Sequence, residues 1–69
     1  MKKKYDKYIE LHQLETDRFI VWRNEVKNNR IEIANADAQG AEGTHLHKLY
    51  RDWQESVLIL REYIKENGL

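Results

Sequence analysis

The sequence has no cysteine, no proline and only three glycines among its 69 residues. The missing cysteines rule out disulfide staples and are usual for a cytoplasmic protein, which this chain is expected to be. The missing prolines, in a chain rich in Leu, Ile, Glu, Lys and Arg, suit an all-α protein of long helices joined by few turns. An excess of one charge is lacking too. Twelve basic residues balance twelve acidic ones, so the strongly basic footprint of a nucleic-acid binder is missing, as is the acidic bias of a mimic. The longest apolar runs, at 19–22 and 57–60, hold four residues, against the roughly 20 of a membrane span, and no membrane association is expected. Met1-Lys2-Lys3-Lys4 opens like a secretion signal, but Tyr5-Asp6-Lys7 stands where an apolar segment belongs, and a solvated basic head is expected instead.

What the chain does have is helical periodicity, strongest over residues 44–68. Leu46, Leu49, Tyr50, Trp53, Val57, Leu60 and Ile64 recur in steps of three and four, which places them on one stripe roughly 100° wide. Thr44 supplies an N-cap, and Gly68 stands where a left-handed C-cap residue is wanted. The second helix is therefore predicted over about 44–67, with Lys48 and Asp52 as an exposed pair one turn apart.

An earlier helix is predicted from about Lys4, carrying Tyr5, Tyr8, Phe19, Trp22, Val26 and Ile33 along its stripe, with His12 and Glu15 as polar interruptions. Leu11, Leu14 and Val21 lie on one flank. Ile9, Ile20 and Ile31 lie on the other at eleven-residue intervals, which keeps them aligned along a straight helix. Its end is ambiguous. Asn28 and Asn29 are weak helix formers, and residues 30–38 alternate in a way that suits a strand. Stopping at Asn28 would leave a long connector, however, and Ala34, Ala36 and Ala38 favour helix. The helix is accordingly extended to about Ala38, with a break near Asn28-Asn29 as the alternative. Gly40 is then its C-cap, residues 39–43 form the turn, and residues 1–69 make one helical-hairpin domain. A first helix of about 35 residues, ~52 Å long, outreaches a second of about 23, ~35 Å long. Tyr5, Tyr8, Ile9, Leu11 and Leu14 would then overhang with nothing from their own chain to pack against.

Catalytic and ligand-binding patterns are scarce. His45 and His47 stand about 200° apart around a helix, whereas paired helical ligands sit three or four residues apart, and His12 is distant; no metal or other cofactor is expected. Glu15 on the apolar stripe reads as a bundle-edge carboxylate meeting Arg18, Arg51 or Arg61. Ser56 offers no recognisable nucleophile constellation, and Gly40-Ala-Glu-Gly43 lacks the lysine and the preceding strand of a phosphate loop. The chain does not read as an enzyme. Trp22, Trp53 and Tyr50 are expected in the core or at an interface, and Tyr63 lies off the seam.

Leu58 and Ile59 are more informative. Val57 and Leu60 face the predicted seam, which turns the two residues between them outward. With the overhanging residues and Ile20, they define an expected interaction surface of Tyr5, Tyr8, Ile9, Leu11, Leu14, Ile20, Leu58 and Ile59. For so short a chain, the entropy of ordering, about 1.5 kcal/mol per residue, roughly cancels the return from apolar burial, so extra stabilisation by self-association is expected. The outline resembles the helical hairpins that dimerise into four-helix bundles, small plasmid RNA-binding regulators among them, in architecture and not in motifs. Together these features predict a homodimer and a protein partner: a small non-enzymatic regulator, inhibitor or assembly factor of phage or mobile-element type. The alternative is an RNA- or DNA-binding hairpin using Lys2, Lys3, Lys4, Lys7, Arg23, Lys27 and Arg30, weakened by the interleaved Asp6, Glu10, Asp17 and Glu25.

Overall fold

The computed structural model describes residues 2–33 and 35–69; Met1 and Ala34, the latter one of the alanines that argued for a longer first helix, lie outside them. Two helices, α1 (Lys2–Asn28) and α2 (His45–Asn67), fold back on each other as a hairpin, and a short 3-10 helix (Ala36–Gln39) sits in the connector. Among the described residues there is no strand. The body is a rod of 44 × 19 × 17 Å.

The first helix ends at Asn28, at the break given above as the alternative, and does not run on to Ala38. Two backbone bonds close it: Arg30 N–H donates to the Lys27 carbonyl at 3.0 Å, and Ile31 N–H donates to the Val26 carbonyl at 3.1 Å. This is a Schellman closure, in which the residue between helix and exit takes a left-handed conformation. That residue is Arg30, at φ 57°. Glycine usually occupies the position, so with arginine there the weak helix formers Asn28 and Asn29 are the local sign of the stop. Ile31 then folds back against the core of Trp22, Val26 and Ala38, supplying the kind of apolar contact that accompanies the motif.

The connector is longer than is usual without structure of its own, and it does have its own structure. Asn35 caps the 3-10 helix by accepting from Asp37 N–H at 2.9 Å. This turn lowers Ala38, 1% exposed, into the core beneath Trp22. The Trp22 indole Nε1–H donates to the Ala38 carbonyl at 2.8 Å, which satisfies a backbone acceptor that the packing removes from water. Gly40 caps this 3-10 helix rather than a long α1, at φ 79° and ψ 157°, a region that is nearly glycine-only. A Cβ on Gly40 would lie 2.6 Å from His47 N. That same N–H is held by the Thr44 N-cap hydroxyl at 3.2 Å, so the close approach occurs where α2 begins.

Along the seam, Phe19, Trp22 and Val26 meet Leu46, Leu49, Tyr50 and Trp53, as the periodicity implied. Trp22 and Trp53 stack with ring centroids 5.1 Å apart and planes 3° from parallel, flanked by the tilted rings of Phe19 and Tyr50. Ile33 does not join the core. It is 46% exposed, because the chain has left the helical register before it, and Ile31 packs there instead. Ser56 is buried in the seam, its hydroxyl donating to the Trp53 carbonyl at 2.6 Å.

Shortening α1 also removes most of the expected overhang. At 27 and 23 residues, the helices differ by only about 6 Å in length. The Tyr63 hydroxyl donates to the Lys4 carbonyl at 2.7 Å, placing the last turns of α2 beside the first turns of α1. Tyr63 is thus a tether across the open end rather than a free aromatic.

Gly40→Ala costs about 2 kcal/mol or more, lowering the thermal midpoint by roughly 8 °C or more, whereas Arg30→Gly raises stability by about 0.5–1 kcal/mol. Thermal unfolding followed by circular dichroism measures both. Trp22→Phe removes the donor to the Ala38 carbonyl and loses ~2–3 kcal/mol in urea unfolding.

Candidate interaction surface

The eight residues of the expected interaction surface do not form one patch. Leu11 is buried in the seam, which is a correction: once α1 and α2 are nearly equal in length, α2 covers it. Tyr8 is half-buried, and with Tyr5, Ile64, Gly68 and Leu69 it lines a notch of about 390 Å³ at the open end. The remaining six, Tyr5, Ile9, Leu14, Ile20, Leu58 and Ile59, are exposed. At 100° per residue, Ile9 and Ile20 share one outer flank of α1, while Leu14 looks out from the other. Val21, which the sequence placed on the flank of Leu14, is exposed there too and extends the apolar surface towards the turn.

Leu14 and Ile59 come together. They border a groove with Arg18, Asp52, Glu55 and Ser56. A second groove, of about 420 Å³, shares Glu55 and Ile59 and continues past Leu11, Leu58 and Tyr63 towards Lys7 and Glu66. The two form one shallow trough along the α1–α2 joint. The buried Ser56 contributes to its lining, because a small side chain there leaves room between the helices.

The charged groups pair differently from the sequence expectation. Asp52 joins Arg18 across the helices at 3.3 Å rather than Lys48 along its own helix. Both partners are substantially exposed, so the bridge contributes to registration more than to stability. Among the described residues, Glu15 forms no ion pair with an arginine. Its Oε1 accepts from the Trp53 indole Nε1–H at 3.1 Å, so the carboxylate that interrupts the apolar stripe anchors the second tryptophan as the Ala38 carbonyl anchors the first. The signal was present in the sequence: a carboxylate on an apolar stripe opposite an indole has a natural donor to accept from.

His45 and His47 occupy the first turn of α2, and the His47 ring Nδ1 lies 3.2 Å from the Gln39 carbonyl, closing the connector against the helix. His12 stacks obliquely on Tyr8 with centroids 6.0 Å apart. Among the described residues, no three His, Cys, Asp or Glu side chains converge as metal ligands, and no helix is long and apolar enough to cross a membrane. No protein-family model, curated protein or solved structure matches the chain.

The Glu15–Trp53 contact is open to a simple test. Glu15→Gln retains an acceptor for the indole and loses under about 0.5 kcal/mol, whereas Glu15→Leu leaves the half-buried N–H unpaired and loses about 1–2 kcal/mol. Urea unfolding monitored by tryptophan fluorescence separates the two.

Proposed function

We propose that the chain is a non-enzymatic, cytoplasmic protein-binding module: a small regulator or inhibitor of another protein, or an assembly factor. The observation that carries this reading is the trough in which Leu14, Leu58 and Ile59 stand exposed beside a two-helix seam. Single exposed apolar side chains are ordinary on a soluble protein; several large aliphatics bordering a continuous concave surface are the mark of an interface. The small size and the economy of two helices and one turn are in keeping with the accessory proteins of phages and mobile elements.

The polar groups do other work in this reading. Trp22, Trp53, Glu15, Tyr63 and His47 are engaged in holding the fold. The basic residues that a nucleic-acid surface would use are interspersed with carboxylates, and Lys7 has Glu10 at 4.0 Å.

A nuclease-treated pull-down from the native cell tests the assignment. The expected result is capture of a defined protein that is lost with the double substitution Leu58→Asp and Ile59→Lys while helicity is unchanged. Nuclease-sensitive, steeply salt-dependent capture of RNA or DNA would replace this reading with the nucleic-acid one.

A further inference from the structure

The trough sorts its charges by helix. Among the described residues, its charged lining from α1 is cationic, Lys7 and Arg18, with Glu10 4.0 Å from Lys7 at its margin, and its charged lining from α2 is anionic, Asp52, Glu55, Glu62 and Glu66. In a chain with twelve charges of each sign, that separation decides what fits over the face. A uniformly acidic partner would be repelled by the four carboxylates of the α2 edge, and a uniformly basic one would be repelled along the α1 edge by Lys7 and Arg18. A second hairpin, rotated about a two-fold axis parallel to the helices, is attracted by both, because each α1 then lies across from the partner's α2. The other face-to-face arrangement, with the axis perpendicular to the helices, sets α1 over α1 and like charge over like.

Area agrees with charge. The hairpin exposes 5576 Å², whereas a compact monomer of 8.4 kDa exposes about 4,600 Å². The surplus of about 1,000 Å² is close to the ~800 Å² that each partner buries in a standard interface.

We infer that a second copy of this chain covers the trough, forming a two-fold four-helix bundle in which each α1 crosses to the other chain's α2. The inference rests on the protein-binding reading and makes a second copy the first occupant of the trough, so that any other partner reaches Leu58 and Ile59 by displacing it. Leu14, Leu58 and Ile59 of the two chains close the middle. Lys7, at the height of Glu62 and Glu66 in its own trough, faces the same two carboxylates of the second copy, since rotation about an axis parallel to the helices preserves height.

Sedimentation equilibrium tests this with the full chain and two charge-reversed forms, Glu62→Lys/Glu66→Lys and Lys7→Glu. Arg18 is left untouched because its 3.3 Å bridge to Asp52 ties the two helices of one chain, whereas Lys7 meets Glu10 only at 4.0 Å within α1. The wild type is expected at twice its 8.4 kDa chain mass. Each variant alone, with helicity verified, weakens the dimer about tenfold or more in low salt, and an equimolar mixture regains wild-type affinity because the reversed edges then complement each other. A wild type that stays at 8.4 kDa across the concentration range overturns the proposal without requiring any variant to fold. So does a mixture that associates no better than its components. A monomer that still captures another protein through Leu58 and Ile59 would overturn the self-pairing and leave the protein-binding reading standing.

Discussion

The fold depends on one side chain, the indole of Trp22. Its Nε1–H donates to the Ala38 carbonyl at 2.8 Å, and its ring lies flat on Trp53. It therefore joins α1, the connector and α2 at a single point. Without that donor, the connector would either bury a backbone carbonyl unpaired or swing out to hydrate it, exposing Val26. Trp53 repeats the arrangement with Glu15, so each member of the stacked pair has an apolar face in the core and a polar edge that is satisfied. Among the described residues, no buried side-chain nitrogen or oxygen lacks a partner. In a rod 17 to 19 Å across, where few residues are fully enclosed, such anchored aromatics supply much of the packing.

Much of this was legible in the sequence, and the rest was hidden for identifiable reasons. The stripe of α2, the Thr44 cap and the left-handed Gly68 follow from periodicity and cap chemistry, which are local. Phe19, Trp22 and Val26 were visible as the centre of α1 for the same reason. The end of α1 was legible only as the alternative break at Asn28-Asn29, because an arginine fills the left-handed position where glycine usually marks the stop. Taking residues 29–38 as helix then displaced everything that depended on length. It put Ile33 in the core and left Leu11 without cover, whereas the observed contacts place Ile31 and Leu11 within the fold; Tyr63, off the seam by helical phase, is held instead by the Lys4 carbonyl. The surface residues were easier where exposure is set by helical phase, as for Ile9, Ile20, Leu58 and Ile59. Which of them share a face required the pairing of α1 with α2. The trough and its charge sorting belong to no single stretch of sequence.

That division also frames the functional proposal. Residues inside the hairpin are engaged by one another, including the histidine, tyrosine and carboxylate that sequence reading weighs as chemistry. What lies outside is apolar surface bordered by complementary charge, and the proposed role follows from it: a module whose work is to be covered by another protein. Because the core is thin, covering the trough would also stabilise the hairpin, so that association and folding become linked.

The central claim, that the Trp22 anchor makes helices and connector one cooperative unit, is tested most directly by native-state hydrogen exchange at the Trp22 indole. The account predicts that this N–H exchanges with the same opening free energy as the most protected amides of α1 and α2. Exchange at the rate of an exposed indole, while those helical amides remain protected, would show the connector opening independently and would contradict it.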